Sequence, residues 1–179
     1  MLIRNTELLF EVQRGGVYPK QIEFMPFIAR AFETIAMAKV STSGPEAITL
    51  GYLRPTDNLT VNRDYLIEDA KRTVRAINLE GYTPPRPRED IRVPGENTYA
   101  MLKLALWTMH EQGFALDHDV TVGTKLAYVL CGGNVLENTK VSEQYLLDLE
   151  REAFLSLCGD PKTQARIEHM LTTGKPLRN

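Results

Sequence analysis

Apolar residues recur at helical spacing along most of this 179-residue chain, and the recurrence predicts a series of helices. The first strong segment starts at Pro19, and its helical spacing runs from Pro26 onward. Its apolar positions are Ile28, Phe32 and Ile35. Proline suits the first turn of a helix, because the N–H that it lacks would have no intrahelical partner there. We expect a helix over residues 26–39, and a weaker amphipathic segment before it at residues 2–12.

Capping residues delimit the next two helices. Ser43 is a preferred N-cap and Gly51 a preferred stop, which together predict a short helix that ends at Leu50. Asn62 then caps a longer helix that Gly81 ends. One face of this longer helix is apolar and its other faces are charged. The apolar positions are Leu66, Ile67, Ala70, Val74 and Ile77.

Prolines cluster in residues 82–95. Because proline cannot donate a hydrogen bond to a β-ladder, we interpret this stretch as a stiff surface connection, in which a strand at residues 90–93 would lie at a sheet edge. The cluster is also the expected internal boundary. It separates a first helical segment, residues 1–81, from a second, residues 96–179.

Residues 98–110 are apolar on nearly every side, which predicts a central helix. Trp107 with Tyr99 could stack on a flat group such as adenine, but aromatic residues in an apolar helix usually fill a core, and we favour the core. Another amphipathic helix follows and ends at Gly132 and Gly133. Its apolar positions are Val122, Leu126, Val129 and Leu130.

The last two helices have the clearest boundaries. Ser142 caps the first, and Gly159 ends it. Asp160 and Pro161 start the second, which Gly174 ends. The apolar positions are Leu146, Leu149, Ala153, Phe154 and Leu157 in the first helix, and Ile167, Met170 and Leu171 in the second. The whole pattern predicts an all-α packing of six to eight helices.

Composition describes an ordinary globular chain. Hydrophobic residues make up 43% and charged residues 25%, which is enough apolar surface for a core. The formal charge of -2 predicts no nucleic-acid binding. No segment is long and apolar enough for a membrane span, and no targeting signal precedes the helices, so we expect a cytoplasmic location. Cys131 and Cys158 are isolated, and we interpret both as small core residues.

The motifs of several enzyme classes are absent. No two glycines are separated by a single residue, which excludes the GxGxxG dinucleotide loop and the GxSxG nucleophile elbow. A GxxxxGK[ST] loop and an HExxH metal helix are absent as well. We therefore predict no catalytic residue and no metal site, and we assign no cofactor-binding residue.

One compact titratable cluster remains, formed by His118 with Asp117 and Asp119. A histidine beside a carboxylate could act as a general base. The favoured interpretation is that an aspartate caps the helix before Val122, while the histidine packs beside it. His110 and His169 have no predicted partner. Glu150, Arg151 and Glu152 are interpreted as the solvated face of their helix.

Residues 141–179, VSEQYLLDLEREAFLSLCGDPKTQARIEHMLTTGKPLRN, resemble the carboxyl terminus of long bacterial 3-hydroxyacyl-CoA dehydrogenases that end in an enoyl-CoA hydratase-like (crotonase) region. The segment SGPEAITLGYL at residues 43–53 is similar to a crotonase segment in which a Glu-Ala pair starts a short helix. AFETIAMAKVSTS before this segment, and the helix over residues 62–81 and the GGN after Cys131 behind it, also resemble successive blocks of the same dehydrogenase family, in the same order. The resemblance covers residues 27–179.

This resemblance implies fatty-acid β-oxidation, in which one polypeptide hydrates a 2-enoyl-CoA and oxidises the 3-hydroxyacyl-CoA with NAD. Both active sites would precede Met1, so this segment would hold no cofactor, while the parent enzyme would use NAD and acyl-CoA. The implied role of the segment is to cover the acyl-CoA pocket and to mediate assembly. Its implied partners are the remainder of the polypeptide, the acyl-CoA substrate and further copies of itself in a homo-oligomer.

Two questions stay open from the sequence. Six basic residues could contact the phosphates of a CoA-like ligand or could only increase solubility. They are Lys39, Arg72, Arg75, Lys162, Lys175 and Arg178. The chain could also be a free-standing helical interaction or oligomerisation module without catalytic activity, a role that binding of acyl-CoA to the isolated chain would argue against.

Overall fold

The structure is a computed structural model that describes residues 25–179. Of this part of the chain, 62% is helical, in seven α-helices and one 3-10 turn, with almost no strand. The predicted all-α class is therefore confirmed. The amphipathic segment predicted at residues 2–12 lies outside the described residues.

The helices follow one another along the chain with one short strand pair between them. The helices are α1 (Met25–Ala36), α2 (Gly44–Leu50), α3 (Leu66–Leu79), α4 (Gly95–Glu111), α5 (Asp117–Leu130), α6 (Glu143–Cys158) and α7 (Pro161–Thr173). The strands are β1 (Ile91–Arg92) and β2 (Lys140–Val141), and a 3-10 turn, Arg63–Tyr65, precedes α3.

The chain divides into two compact units. Among the described residues, the larger unit contains residues 25–39 and Arg88–Asn179, and the smaller contains Val40–Pro87. The larger unit therefore includes both strands and every helix except α2 and α3. The boundary at Pro87 lies within the predicted proline-rich connection, residues 82–95. Residues 25–39 were expected in the first segment, but they belong to the larger unit together with the second segment.

The core of the larger unit forms where α4 packs against α5. Leu102 and Leu106, four positions apart on α4, are both buried. Gly123 of α5 permits close approach, because a Cβ at that position would lie 2.7 Å from Cδ2 of Leu106. The buried cluster comprises Ile28, Phe32, Ile91, Val93, Leu102, Leu106, Ala127, Leu130, Cys131, Val141, Leu146 and Leu149.

The two strands carry part of this core. Ile91 pairs with Val141 and Arg92 with Lys140 in an antiparallel register. Ile91 and Val93 have no exposed surface, because alternate side chains of an extended segment point to the same side. The interpretation of residues 82–95 as a surface connection is therefore wrong for their last five residues. Ile91 and Val93 are hydrophobic and two positions apart, and their burial in the core prevails over the surface location that the neighbouring prolines predict.

Helix boundaries follow the predicted caps closely. The side chains of Ser43, Ser142 and Asp160 each accept a hydrogen bond from a backbone N–H two or three residues ahead. Asn62 caps the 3-10 turn that leads into α3 and not α3 itself, which begins without a side-chain cap. Gly51 adopts the left-handed conformation that ends α2. These contacts are local, so a short sequence window determines them.

Burial differs from the predicted pattern on several helix faces. Trp107 is 57% exposed, so its assignment to the core is wrong, whereas Tyr99 is half-buried and packs at the core edge. Helix α3 has no buried residue, although its apolar stripe was expected to be covered. Phe154 on α6 and Leu171 on α7 are likewise exposed. Periodicity identifies an apolar face but not the surface that covers it.

Leu149 provides a direct test of the core. Replacing this side chain, which is 8% exposed, with Asp places a charge without a partner in the buried cluster. We expect Leu149→Asp to lower the free energy of unfolding by about 3 kcal/mol or more. Leu155→Asp on the same helix is the control, since Leu155 is 62% exposed and should change stability within about 0.5 kcal/mol. Equal effects in urea unfolding would contradict the core assignment.

Candidate functional site at the joint of α5 and α7

Two residues of the predicted titratable cluster, His118 and Asp119, lie at a polar contact between α5 and α7, which we call the joint. His118 and Asp119 belong to the first turn of α5, and Thr163 and Arg166 to the first two turns of α7. The two helices meet because Asp160 and Pro161 restart the chain as a helix directly after α6.

His118 is enclosed in this joint. Its side chain is 2% exposed, and its Nε2 lies 2.9 Å from Oγ1 of Thr163. Its Nδ1 lies 3.9 Å from Oδ2 of Asp160, which is longer than a hydrogen bond. A general base must come within hydrogen-bond reach of the substrate. While α7 is in place, the surroundings of His118 suit packing better than proton transfer.

Neither aspartate is the predicted N-cap of α5, because Leu116 holds that position and Asp117 and Asp119 are the first and third helical residues. Asp119 instead contacts the N-terminus of the helix from the third position. Its Oδ2 accepts a hydrogen bond from the Leu116 N–H at 3.0 Å, and its Oδ1 lies 2.8 Å from Nη2 of Arg166. Burial by itself raises the pKa of Asp119. The Leu116 N–H, the Arg166 guanidinium and the charge of Arg178 more than offset burial, so the pKa lies below its usual value.

The last residues of the chain complete the joint. Asn179 accepts a hydrogen bond from Nε of Arg166 through its Oδ1 at 2.7 Å. The same side chain donates from Nδ2 to the Lys162 carbonyl at 3.1 Å. Arg178 donates to the Phe114 carbonyl at 3.0 Å. Of the six basic residues considered as phosphate contacts, Arg178 is thus engaged with backbone in this arrangement.

A second histidine–carboxylate pair was not predicted from the sequence. Nε2 of His110, near the end of α4, lies 2.8 Å from Oδ1 of Asp117 at the start of α5. Nδ1 of His110 also lies 3.5 Å from Oε1 of Glu111. The turn between the helices brings these residues together, and the glycine at position 113 was the available signal for that turn. Asp117 is largely exposed, so we interpret the pair as a surface contact.

The other candidate residues carry no additional site. Residues 150–152 are exposed, which confirms their interpretation as the solvated face of the helix. Nη1 of Arg151 lies 3.0 Å from Oδ1 of Asp148. Cys131 is buried, as predicted, and burial raises its pKa to about 12, which keeps it a thiol rather than a reactive thiolate. Cys158 is only half-buried, so its assignment to the core holds in part.

Two kinds of functional feature are absent from residues 25–179. No group of three or more His, Cys, Asp or Glu side chains in this range could hold a metal ion. None of its helices is both long and apolar enough to cross a membrane. The joint of α5 and α7 consists of hydrogen bonds and one ion pair, which hold α7 and the residues after it in position.

The lowered pKa of Asp119 predicts a pH dependence. Because the folded-state pKa lies below the unfolded value, its contribution to stability is present above that unfolded value of about 4 and is lost as the pH falls through the folded pKa. We expect Asp119→Asn to lower the free energy of unfolding by about 1 kcal/mol at pH 7.

The difference between wild type and Asp119→Asn should shrink as the pH falls below the unfolded value, and it should close once the Asp119 carboxylate is protonated in the folded state too, because both side chains are then uncharged. The matched control is Asp148→Asn, which removes an exposed carboxylate partner of Arg151 and should change little at either pH. Urea unfolding at several pH values measures both. A difference for Asp119→Asn that is constant with pH would contradict the assigned role.

Comparison with known proteins gives one informative match. No protein-family model matches the chain, and no solved structure matches it. Over 175 residues the chain is 47% identical to a protein of Bacillus subtilis (strain 168) described as "Probable 3-hydroxyacyl-CoA dehydrogenase". The match takes in 98% of this chain and 21% of that relative, and it falls in the C-terminal part of the relative. The chain thus spans about a fifth of the relative's length. Its resemblance to the carboxyl terminus of a 3-hydroxyacyl-CoA dehydrogenase is confirmed, while the resemblance to a crotonase region stays a prediction.

Proposed function

We propose that this chain is the C-terminal part of a fatty-acid β-oxidation polypeptide related to 3-hydroxyacyl-CoA dehydrogenase, and that it covers the acyl-CoA pocket and mediates assembly. The observation that carries the proposal is the 47% identity, which extends over 98% of the chain. Identity at this level over nearly the whole chain supports a shared role for the aligned segments.

Exposed apolar surface supports the assembly role. Within Val40–Pro87, Ala47 is the one buried hydrophobic residue among those that the structure describes, and large apolar side chains on α3 are exposed. A unit of this size with so little core gains most of its stability from surfaces outside itself. Exposed apolar faces of this kind mark interaction sites. The stripe on α3 is therefore our candidate contact with the remainder of the polypeptide or with a second copy.

Under this proposal the chemistry belongs to other parts of the polypeptide. Thioester hydration needs backbone N–H groups that stabilise an oxyanion and carboxylates that move protons. Hydride transfer needs bound NAD. We assign none of these functions to residues 25–179. Acyl-CoA and NAD are the ligands proposed for the whole enzyme, and the cytoplasm is its proposed location.

The alternative is a free-standing helical interaction module without catalytic activity. The observation that favours it is the core shared by α1, α4, α5, α6 and the strand pair. A core of that extent suits a unit that folds without a catalytic domain. The two proposals differ in the length of the polypeptide that contains the chain and in its affinity for acyl-CoA.

The mass of the native polypeptide tests the first proposal. An antibody raised against residues 174–179 should detect, in source cells, a protein several times heavier than the 20.2 kDa of this chain. We expect this greater mass because the chain aligns with only 21% of the length of its relative. A single band near 20 kDa would contradict the first proposal and favour the free-standing module.

Substitution on α3 tests the assembly role separately. In the full native polypeptide, Ile67→Asp should raise the dissociation constant of the assembly, or weaken acyl-CoA binding, about tenfold or more, because it places a charge on the apolar stripe. Glu68→Lys, on the charged face of the same helix, is the control and should change little. Light scattering and acyl-CoA titration measure the two effects. Indistinguishable variants would exclude the α3 stripe as the contact.

A further inference from the structure

Helix α7 is attached to the larger unit differently from the other helices of that unit. It has no buried residue, whereas its neighbour α6 buries Leu146, Leu149 and Ala153. Its largest apolar side chains, among them Leu171, are exposed to solvent. Apolar burial therefore contributes little to holding α7 in place.

Polar contacts supply the attachment that apolar packing does not. Arg166 of α7 binds Asp119 of α5 at 2.8 Å, and Oγ1 of Thr163 lies 2.9 Å from Nε2 of His118. Arg166 and Asp119 are each largely covered, which limits screening of the pair by salt. The ion pair is therefore stronger than a fully exposed surface pair.

Arg166 is at the centre of this attachment because its guanidinium serves three acceptors. Nη2 reaches Asp119 and also the Asn179 carbonyl at 3.3 Å, while Nε donates to Oδ1 of Asn179 at 2.7 Å. Asn179 in turn donates to the Lys162 carbonyl in the first turn of α7. One planar side chain thus joins α5, α7 and the tail of residues 174–179.

We propose that Arg166 is a latch that holds α7 and the tail against α5, and that helix and tail detach together when the latch opens. The turn at Gly159 between α6 and α7 is the hinge. Asp160, the residue directly before α7, caps that helix, so α7 keeps its N-cap when it detaches from α5. The apolar core does not have to open for this movement. The inference concerns the fold alone and does not rest on the proposed function.

Opening of the latch has a specific chemical consequence at His118. This imidazole is 2% exposed and contacts Thr163, which belongs to the detaching helix. A reagent that modifies histidine therefore reaches His118 only after α7 has moved. The half-buried His110, whose imidazole pairs with Glu111 of α4 and Asp117 of α5, is an internal reference.

Hydrogen exchange read by mass spectrometry on the 179-residue chain tests the latch. In Arg166→Gln, the amides of α7 should exchange about tenfold faster than in wild type, because an ion pair and two hydrogen bonds are lost. Amides of α4, α5 and α6 should exchange at the wild-type rate. The rate at which diethyl pyrocarbonate modifies His118 should rise by a similar factor, with His110 unchanged.

Two further variants separate the latch from a general loss of stability. Arg151→Gln removes an arginine that pairs with Asp148 on the exposed face of α6, and should leave exchange in α7 unchanged. Arg166→Lys should behave nearly like Arg166→Gln, because a single ammonium cannot serve three acceptors in different directions. Full rescue by lysine would contradict the proposed role of the guanidinium.

Three results would overturn the proposal. The first is that exchange in α7 is the same in wild type and Arg166→Gln, including the case in which α7 amides have no protection in either. The second is that α5 and α6 accelerate as much as α7, which indicates global unfolding. The third is that modification of His118 does not rise while α7 exchange does, which would mean that α7 frays without leaving α5.

Discussion

The contact between α4 and α5 is the constraint on which the rest of the larger unit depends. It is close because Gly123 has no side chain where Leu106 presses against α5. Leu106 and Leu102 are thereby buried, and the paired strands add Ile91 and Val93 to the same cluster. Dense packing of this kind tolerates changes in volume poorly, so a larger residue at position 123 would separate the helices.

Away from that contact, the attachment of elements changes from apolar to polar. Leu149 and its neighbours anchor α6 in the core, whereas α7 relies on Arg166, Asp119 and a tail residue. Polar attachment in partly exposed positions is weaker and more dependent on geometry than apolar burial. The end of the chain is therefore the part of the larger unit from which movement is expected.

The titratable side chains at the joint and the exposed apolar surfaces both agree with the proposed covering and assembly role. The histidine and carboxylate side chains at the joint serve helix ends and the tail, while several helices present apolar residues to solvent. That distribution agrees with the proposal of a covering and assembly segment in a longer polypeptide, and its similarity to the C-terminal fifth of a relative supports the same view.

The sequence by itself determined the helices and their ends, since caps such as Ser142 and Asp160 act through hydrogen bonds to residues two or three positions away. It also led to the match with the dehydrogenase terminus. Only the tertiary structure decided that Trp107 is exposed and that Arg166 binds Asp119, which lies 47 positions earlier in the chain. Such contacts depend on how helices cross, and periodicity along one helix contains no information about its neighbour.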